Sequence, residues 1–401
     1  MKKFIYLLCL IPFFGFVSYL QNTISFNSII KYIVPVLFLI VSFYAFIRTR
    51  PKWLIGKLDK IVYFFFFVFT SYLFVDSFRP EVFYIQEFLV GELYALPYLL
   101  PLFMLSIILA PSQLRQYFLI CKKLLIPGVL VLIFIIANLN FENWLLHVYT
   151  YELFLFSFPI LFLVKDFWNN KRLDFFLYIV FVLTIFIAGF YGRRSIFGDL
   201  ILIFVFYQLI TLSSKSTSKL SLIFRYSVLG LFIIPVFLIY SSDFTQFSVF
   251  KRGLNKAGWE ESRGQVLEEF FSDFGSTKDW LIGRGLNGTV KRSIGSSADK
   301  GEGRVIENGY LTLVLKGGNV YFLLILYFFL KAFYLGWFQS NNDFTKAFAA
   351  LLLIHLLGMI GFNIPVFNHR YILLWLSIPI CFSVYYRGLT NEQVKQLIIP
   401  R

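Results

Sequence analysis

Arg193 and Arg194 stand side by side between two apolar stretches of this sequence, and a third arginine follows later in Ser262-Arg263-Gly264. Glu307 closes a long hydrophilic segment and leads into Asn308-Gly309-Tyr310-Leu311. A guanidinium is planar, always charged, and forked so that it meets two phosphate oxygens at once. Two of them together at a membrane surface suit a lipid-linked phosphate or diphosphate. The plainer alternative is a pair of arginines snorkelling to the interface. Asp199, about one turn into the next apolar stretch, could serve as a buried partner for one of them. Glu307 stands next to an apolar wall. Desolvation there raises a carboxyl pKa and a nearby arginine lowers it, so Glu307 reads either as a general base or as an arginine's partner.

Other segments carry weaker chemistry. Gly283-Arg284-Gly285-Leu286-Asn287-Gly288 spells G-x-G-x-x-G. A dinucleotide fingerprint requires a βαβ unit of about 30 residues around it and an acidic residue about 20 further on. This match lies in a hydrophilic segment that ends in an apolar helix, so it reads as a Gly-rich turn after Trp280-Leu281-Ile282. Backbone N–H groups exposed beside Arg284 could line an anion site. The stretch from Glu260 to Phe271 reads as an amphipathic helix with Val266, Leu267, Phe270 and Phe271 on one stripe, a loop helix lying on a membrane surface. The three cysteines and three histidines are scattered, without the spacing of a zinc site, so no metal and no cofactor is expected.

The elements that must position these residues are membrane helices. Of 401 residues, 58% are hydrophobic and 15% charged. Soluble proteins hold about 25% charged residues, so soluble, disordered and collagenous classes are excluded. Runs of about 20 apolar residues cross about 30 Å of hydrocarbon. Such runs start near Phe4, Ile29, Ile61, Phe88, Leu124, Tyr151, Phe175, Ser195, Leu222, Gly318, Phe344 and Tyr371. The expected fold is therefore all-α: a polytopic helical membrane protein of about twelve transmembrane helices with one long exterior loop containing short helices. Residues 1–240 form the first nine spans, 241–309 the loop with part of the active site, and 310–401 the last three spans and a tail.

Net charge is +15, which by itself suggests nucleic acid. Its position says otherwise. With Lys2 and Lys3 inside, basic residues crowd the alternate short connections, and Lys31, Arg79, Arg193, Arg194 and Arg370 stand on the opposite side. This is the positive-inside pattern, with both termini cytoplasmic and the long loop outside. The first apolar run reads as an uncleaved span, because no small-x-small cleavage site follows it. The lipid bilayer, and not nucleic acid, is the partner that the charge implies.

Taken in order, these features resemble the O-antigen ligase/O-antigen polymerase superfamily of bacterial surface-polysaccharide enzymes. The order is an Arg followed by a small residue at the exterior end of a middle span, a long exterior loop with an Arg-containing helix, and a [Leu/Ile]-Gly-x-Gly turn. A [His/Glu/Asp]-Asn-x-Tyr-Leu run and a Gly pair complete it. Residue-level matching runs from about Tyr191 to Val320. The resemblance implies a glycosyltransferase of the bacterial cytoplasmic membrane. Its donor would be a polyprenyl-diphosphate-linked oligosaccharide, and its chemistry would be metal-independent. Arg194 and Arg263 would bind the diphosphate, Glu307 would act as base, and Arg193, Arg284, Asn308 and Tyr310 would contact substrate, with Tyr310, Trp259 and Trp280 as candidate sugar-stacking platforms. Glu307 stands where the ligases carry a His, which favours a polymerase or another branch over a ligase moving finished glycan to a lipid or protein. A transporter or flippase of lipid-linked solutes is the reading from another class. A chain-length regulator or a flippase is the kind of protein such an enzyme could work beside.

Overall fold

A backbone in hydrocarbon must satisfy its own N–H and C=O groups, so long apolar segments close into helices. The computed structural model describes Leu8 and residues 30–49, 56–78, 95–138, 155–191, 194–213, 263–291, 302–303, 306, 308–360 and 365–399. Among them are fourteen α-helices and one two-residue strand pair. In chain order these are α1 (Ile30–Thr49), α2 (Lys57–Ser77), α3 (Leu96–Met104), α4 (Pro111–Ala137), α5 (Phe158–Leu163), α6 (Lys171–Phe190) and α7 (Arg194–Ser213). Then follow α8 (Arg263–Asp273), α9 (Thr277–Ile282), β1 (Val290–Lys291), β2 (Glu302–Gly303) and α10 (Gly309–Phe338). The last are α11 (Asp343–Met359), α12 (His369–Phe382), α13 (Val384–Gly388) and α14 (Asn391–Leu397).

Five of these, α2, α4, α6, α7 and α10, are long and apolar enough to cross a membrane by length and composition. Their outward faces agree with a lipid surround: Phe64, Phe65 and Val75 of α2 and Leu130 and Phe134 of α4 are all exposed. The starts expected at Ile29, Ile61, Phe175, Ser195, Phe344 and Tyr371 fall within four residues of α1, α2, α6, α7, α11 and α12. Others need correction. The apolar run from Leu124 belongs to α4, but that helix begins at Pro111 and carries Arg115, Lys122 and Lys123, which the sequence places in a connection. The starts expected near Phe88 and Tyr151 lie outside the described residues, and the described helices that follow them are α3, with nine residues, and α5, with six. Proline at N1 or N2 opens each of them. The expected spans from Phe4 and Leu222 lie outside the described residues, Leu8 aside.

The helix α10 organises the bundle by packing on α11, α12, α9 and α2. The core is aromatic: Phe66 stacks on Tyr321 at 5.6 Å and on Trp375 at 6.1 Å between ring centroids. The two ends of the bundle differ in chemistry. At one end, Asp59 pairs with Lys331 and accepts a 2.6 Å bond from the Tyr327 hydroxyl. Nearby, Phe206 of α7 packs on Trp337 of α10, and the next residue, Tyr207, donates to both carboxylate oxygens of Asp166. At the other end, Ser77 meets the loop turn at Leu286 and Asn287, and Asp199 meets Arg370. From Asp59 to Ser77 the helix α2 rises about 27 Å at about 1.5 Å per residue, close to the depth of a hydrocarbon core.

Candidate functional site

The site is built around a break in α10. Gly318 adopts φ 63°, ψ −174° inside that helix, which ends its regular bonding one turn after Leu315. A carbonyl released by such a break needs a new donor. The Arg284 backbone N–H supplies it, bonding the Leu315 carbonyl at 2.8 Å. The approach is possible only because glycines face each other. A Cβ on Gly283, whose φ is 73°, would lie 2.6 Å from the Gly318 nitrogen, and one on Gly318 would lie 2.3 Å from the Leu281 carbonyl. The rest of the turn is bound equally closely. Leu286 N–H donates to Ser77 Oγ at 2.8 Å, Asn287 Nδ2 donates to the Ser77 carbonyl at 2.7 Å, and the buried Lys316 Nζ reaches the Gly288 carbonyl at 2.8 Å. The residues 283–288 are thus wedged between the C-terminus of α2 and the break.

This corrects the expectation of an open anion-binding turn. The N–H groups of Gly283, Arg284, Leu286 and Gly288 donate to Asp279, Leu315, Ser77 and Gly285 respectively. The surroundings of the G-x-G-x-x-G match are α9 and a two-residue antiparallel strand pair, and not a βαβ unit.

Arg284 faces inward on its own loop. Its guanidinium bonds Asp273 Oδ2 at 2.5 Å, Asp279 Oδ2 at 3.1 Å and the carbonyls of Asp273 and Thr289 at 2.6 and 2.8 Å, and it lies over the Phe274 ring. Burial alone would raise the Asp273 carboxyl. The bonds from Arg284 and the Lys291 amide, with both positive charges, outweigh burial and hold it below the usual carboxylate range. Arg284 is lowered by burial but raised overall by the two aspartates. As placed, it ties α8, α9 and β1 into one unit.

That unit has its own small core of Phe270, Phe274, Val290, Ile306, Val314 and Leu315. The inward stripe of α8 is the half-buried Val266 and the buried Phe270, continued by Phe274; the expected stripe also included Leu267 and Phe271, which are exposed. Trp280 packs among Phe270, Phe271 and Phe274.

Among the sequence-predicted residues, Asn308 and Tyr310 hold the start of α10. The Asn308 carboxamide accepts from the Leu311 N–H at 3.1 Å and donates to the Ile360 carbonyl at 3.2 Å. The Tyr310 hydroxyl donates to the Leu356 carbonyl at 2.5 Å. On the other side of Glu307, Ile306 exchanges bonds with Thr312 Oγ1 through both its N–H and its carbonyl. Both chain neighbours of Glu307 are therefore clamped to α10. Glu307 and Arg193 themselves lie outside the described residues, as do Trp259 and the side chains of Arg194 and Arg263. Arg194 is the first residue of α7 and Arg263 the first of α8.

The buried carboxylate of Asp199 does have an arginine partner, and it is Arg370 at the start of α12, at 2.7 Å. The other pairing considered for Asp199, with Arg193 or Arg194, involves side chains outside the described residues. Asp199 and Arg370 are 171 positions apart, beyond the reach of local spacing. The only hint in the sequence is that the charge pattern assigns Arg370 to the minority of basic residues opposite the crowded side.

Among the described residues, no group of three or more His, Cys, Asp or Glu side chains is placed to hold a metal ion. Compared with known protein families, curated proteins and solved structures, the chain matches none.

Proposed function

We propose that this protein is a polysaccharide polymerase that joins polyprenyl-diphosphate-linked oligosaccharide repeat units. In this reading it lies in a bacterial cytoplasmic membrane with about twelve spans, both termini cytoplasmic and residues 241–309 outside. The observation that carries the reading is the ordered set Arg194-Ser195, Arg263, Leu281-Ile282-Gly283-Arg284-Gly285, Glu307-Asn308-Gly309-Tyr310-Leu311 and Gly317-Gly318. Further support comes from the way these segments are held. The Gly283 turn rests on the Gly317-Gly318 break, and the neighbours of Glu307 are fixed to the same helix.

The chemistry is self-consistent. As the glycosyl bond breaks, negative charge grows on the departing polyprenyl diphosphate. Arg194 and Arg263 stabilise that charge more in the transition state than in the ground state. Glu307 takes the proton of the attacking sugar hydroxyl. The diphosphate is an activated leaving group, so the reaction needs no nucleotide.

The test is glycan chain length in cells carrying Arg194→Ala, Arg263→Ala or Glu307→Gln. Each variant is expected to reach the membrane and to abolish long-chain glycan. Arg194→Lys is expected to fail as well, since an ammonium lacks the fork. Wild-type chain length in all of them would sink the proposal.

A further inference from the structure

We infer that the unit of α8 and α9 is a membrane anchor in its own right, seated on the lipid surface through Phe271, Trp280 and Leu281. The inference concerns where the loop rests and is independent of the reaction proposed above.

Two helices set the depth of the loop. On α2, exposed apolar side chains run from Leu58 as far as Val75 and Phe78. Between those two stands Ser77, which bonds the turn at Leu286 and Asn287. On α10, residues 312–318 are buried inside the protein. Exposed apolar side chains begin at Val320, two residues after the break at Gly318, and run to Phe338. From Gly318 to Phe338 the helix rises about 30 Å, the thickness of a hydrocarbon core. Both lipid-facing rows therefore end at the level of the turn formed by residues 283–288. The Leu281 backbone packs against Gly318, which puts α9 at the edge of the hydrocarbon.

At this depth the unit leaves apolar surface uncovered. Val266 and Phe270 of α8 turn toward the small core, and Leu267 and Phe271 form the next row, one turn apart and exposed. Phe271, 54% exposed, stacks on the half-buried Trp280 at 6.1 Å, and Leu281, 51% exposed, follows directly. The seat is thus made jointly by the outer row of α8 and by α9, and not by the stripe that faces the core. Lys278 is exposed three residues before Leu281, on the same face of α9. Its stem can lie along apolar surface while its ammonium reaches lipid phosphates. Glu268 and Ser272 give the opposite side of α8 a polar, exposed face. An aromatic pair, an aliphatic side chain and a lysine, placed where hydrocarbon meets head groups, have the composition of an interfacial anchor. The occupant is lipid, because the patch adjoins the lipid-facing row of α10 through Gly318 and Val320. A soluble partner would have to displace that lipid to reach it.

The test uses the full chain with Cys9→Ser in phosphatidylcholine nanodiscs, spin-labelled at Phe271→Cys, Leu281→Cys or Ser272→Cys. Power saturation compares access to oxygen, which concentrates in lipid, with access to a neutral nickel chelate, which stays in water. A seat about 5–10 Å into the boundary is expected to raise the oxygen-to-nickel ratio at Phe271→Cys and Leu281→Cys about fivefold above that at Ser272→Cys. A label alters the patch on which it reports, so Trp280 fluorescence is measured beside it, as the difference between wild type and Trp280→Phe. That fluorescence is expected to fall by about half in phosphatidylcholine brominated in the upper acyl chain and to resist aqueous iodide. Where labels and fluorescence disagree, the quenching of the native side chain decides. Nickel-favoured labels with iodide-quenched Trp280 would overturn the inference by placing the patch in water. Low access to both reagents at Phe271→Cys and Leu281→Cys would overturn it by showing a protein cover. Spin–spin broadening at those labels would do the same and identify the cover as a second copy of the chain.

Discussion

The backbone N–H of Arg284 bonds the carbonyl of Leu315, so the loop turn completes the hydrogen bonding of a broken helix. The loop and α10 are in this sense one structural unit. The helix that seats α9 through this contact also holds the chain neighbours of Glu307, through Thr312 and the Leu311 N–H.

Gly283 and Gly318 should tolerate no side chain. Each has positive φ, and each would drive a Cβ into backbone of the other segment. Gly283→Ala and Gly318→Ala are expected to cost about 2–4 kcal/mol each, seen as a lower Tm in detergent. Gly264→Ala is the control, because nothing lies within 4 Å of a Cβ there. Equal Tm values across all three variants would refute the wedge.

Acid should loosen the loop unit. The Asp273 carboxyl is depressed in the folded protein, so its stabilising effect is complete above the ordinary aspartate value of about 3.9 and is lost as pH falls through the folded value. The carboxylate is partly exposed, so the effect is about 1 kcal/mol or less. Trp280 fluorescence, taken as the difference between wild type and Trp280→Phe, is expected to change on acidification below about pH 4. In Asp273→Asn the change should be smaller. An identical acid profile in that variant would assign the transition to other groups.

Asp59 and Lys331 should behave as a coupled pair. The Asp59 side chain is 6% exposed, so Lys331→Met leaves a buried charge without its ammonium and is expected to cost about 2–4 kcal/mol. Adding Asp59→Asn should restore at least half of that loss. A double-mutant cycle read by denaturant unfolding measures the coupling, and additive losses would rule out the pairing.

The two ends of the bundle should lie on opposite sides of the membrane. Lys278 and Gln339 are both exposed, one on α9 and the other after α10. Cys121 and Cys381 are buried, so a Cys9→Ser background should label weakly. In intact cells a membrane-impermeant maleimide is expected to modify Lys278→Cys and to spare Gln339→Cys until the membrane is opened. Labelling of both from outside would contradict the sidedness.

Much of the helical framework could be read from hydropathy, because apolar runs and helices coincide where no proline or glycine intervenes, as at Lys57–Ser77. Hydropathy measures preference for an apolar medium and not continuity of the backbone. It therefore missed the thirteen residues by which α4 precedes Leu124, where charged side chains extend the helix without lengthening the apolar run. It also set the start of a span at Gly318, which is the break within α10. The glycine pairs were visible as turn signals, but their mutual docking depends on residues about 35 positions apart meeting in space. Asp199 shows the same limit. An arginine partner was expected from a carboxylate in an apolar helix, yet Arg370 stands 171 positions away and meets Asp199 only in the folded chain.

The most direct measurement is incubation of the purified protein with polyprenyl-diphosphate-linked repeat units, with products resolved by length. The proposed function predicts a ladder of products extended one repeat at a time and absent with Glu307→Gln. A single transfer to a separate acceptor, or movement of the lipid-linked oligosaccharide across liposomes without any lengthening, would contradict it.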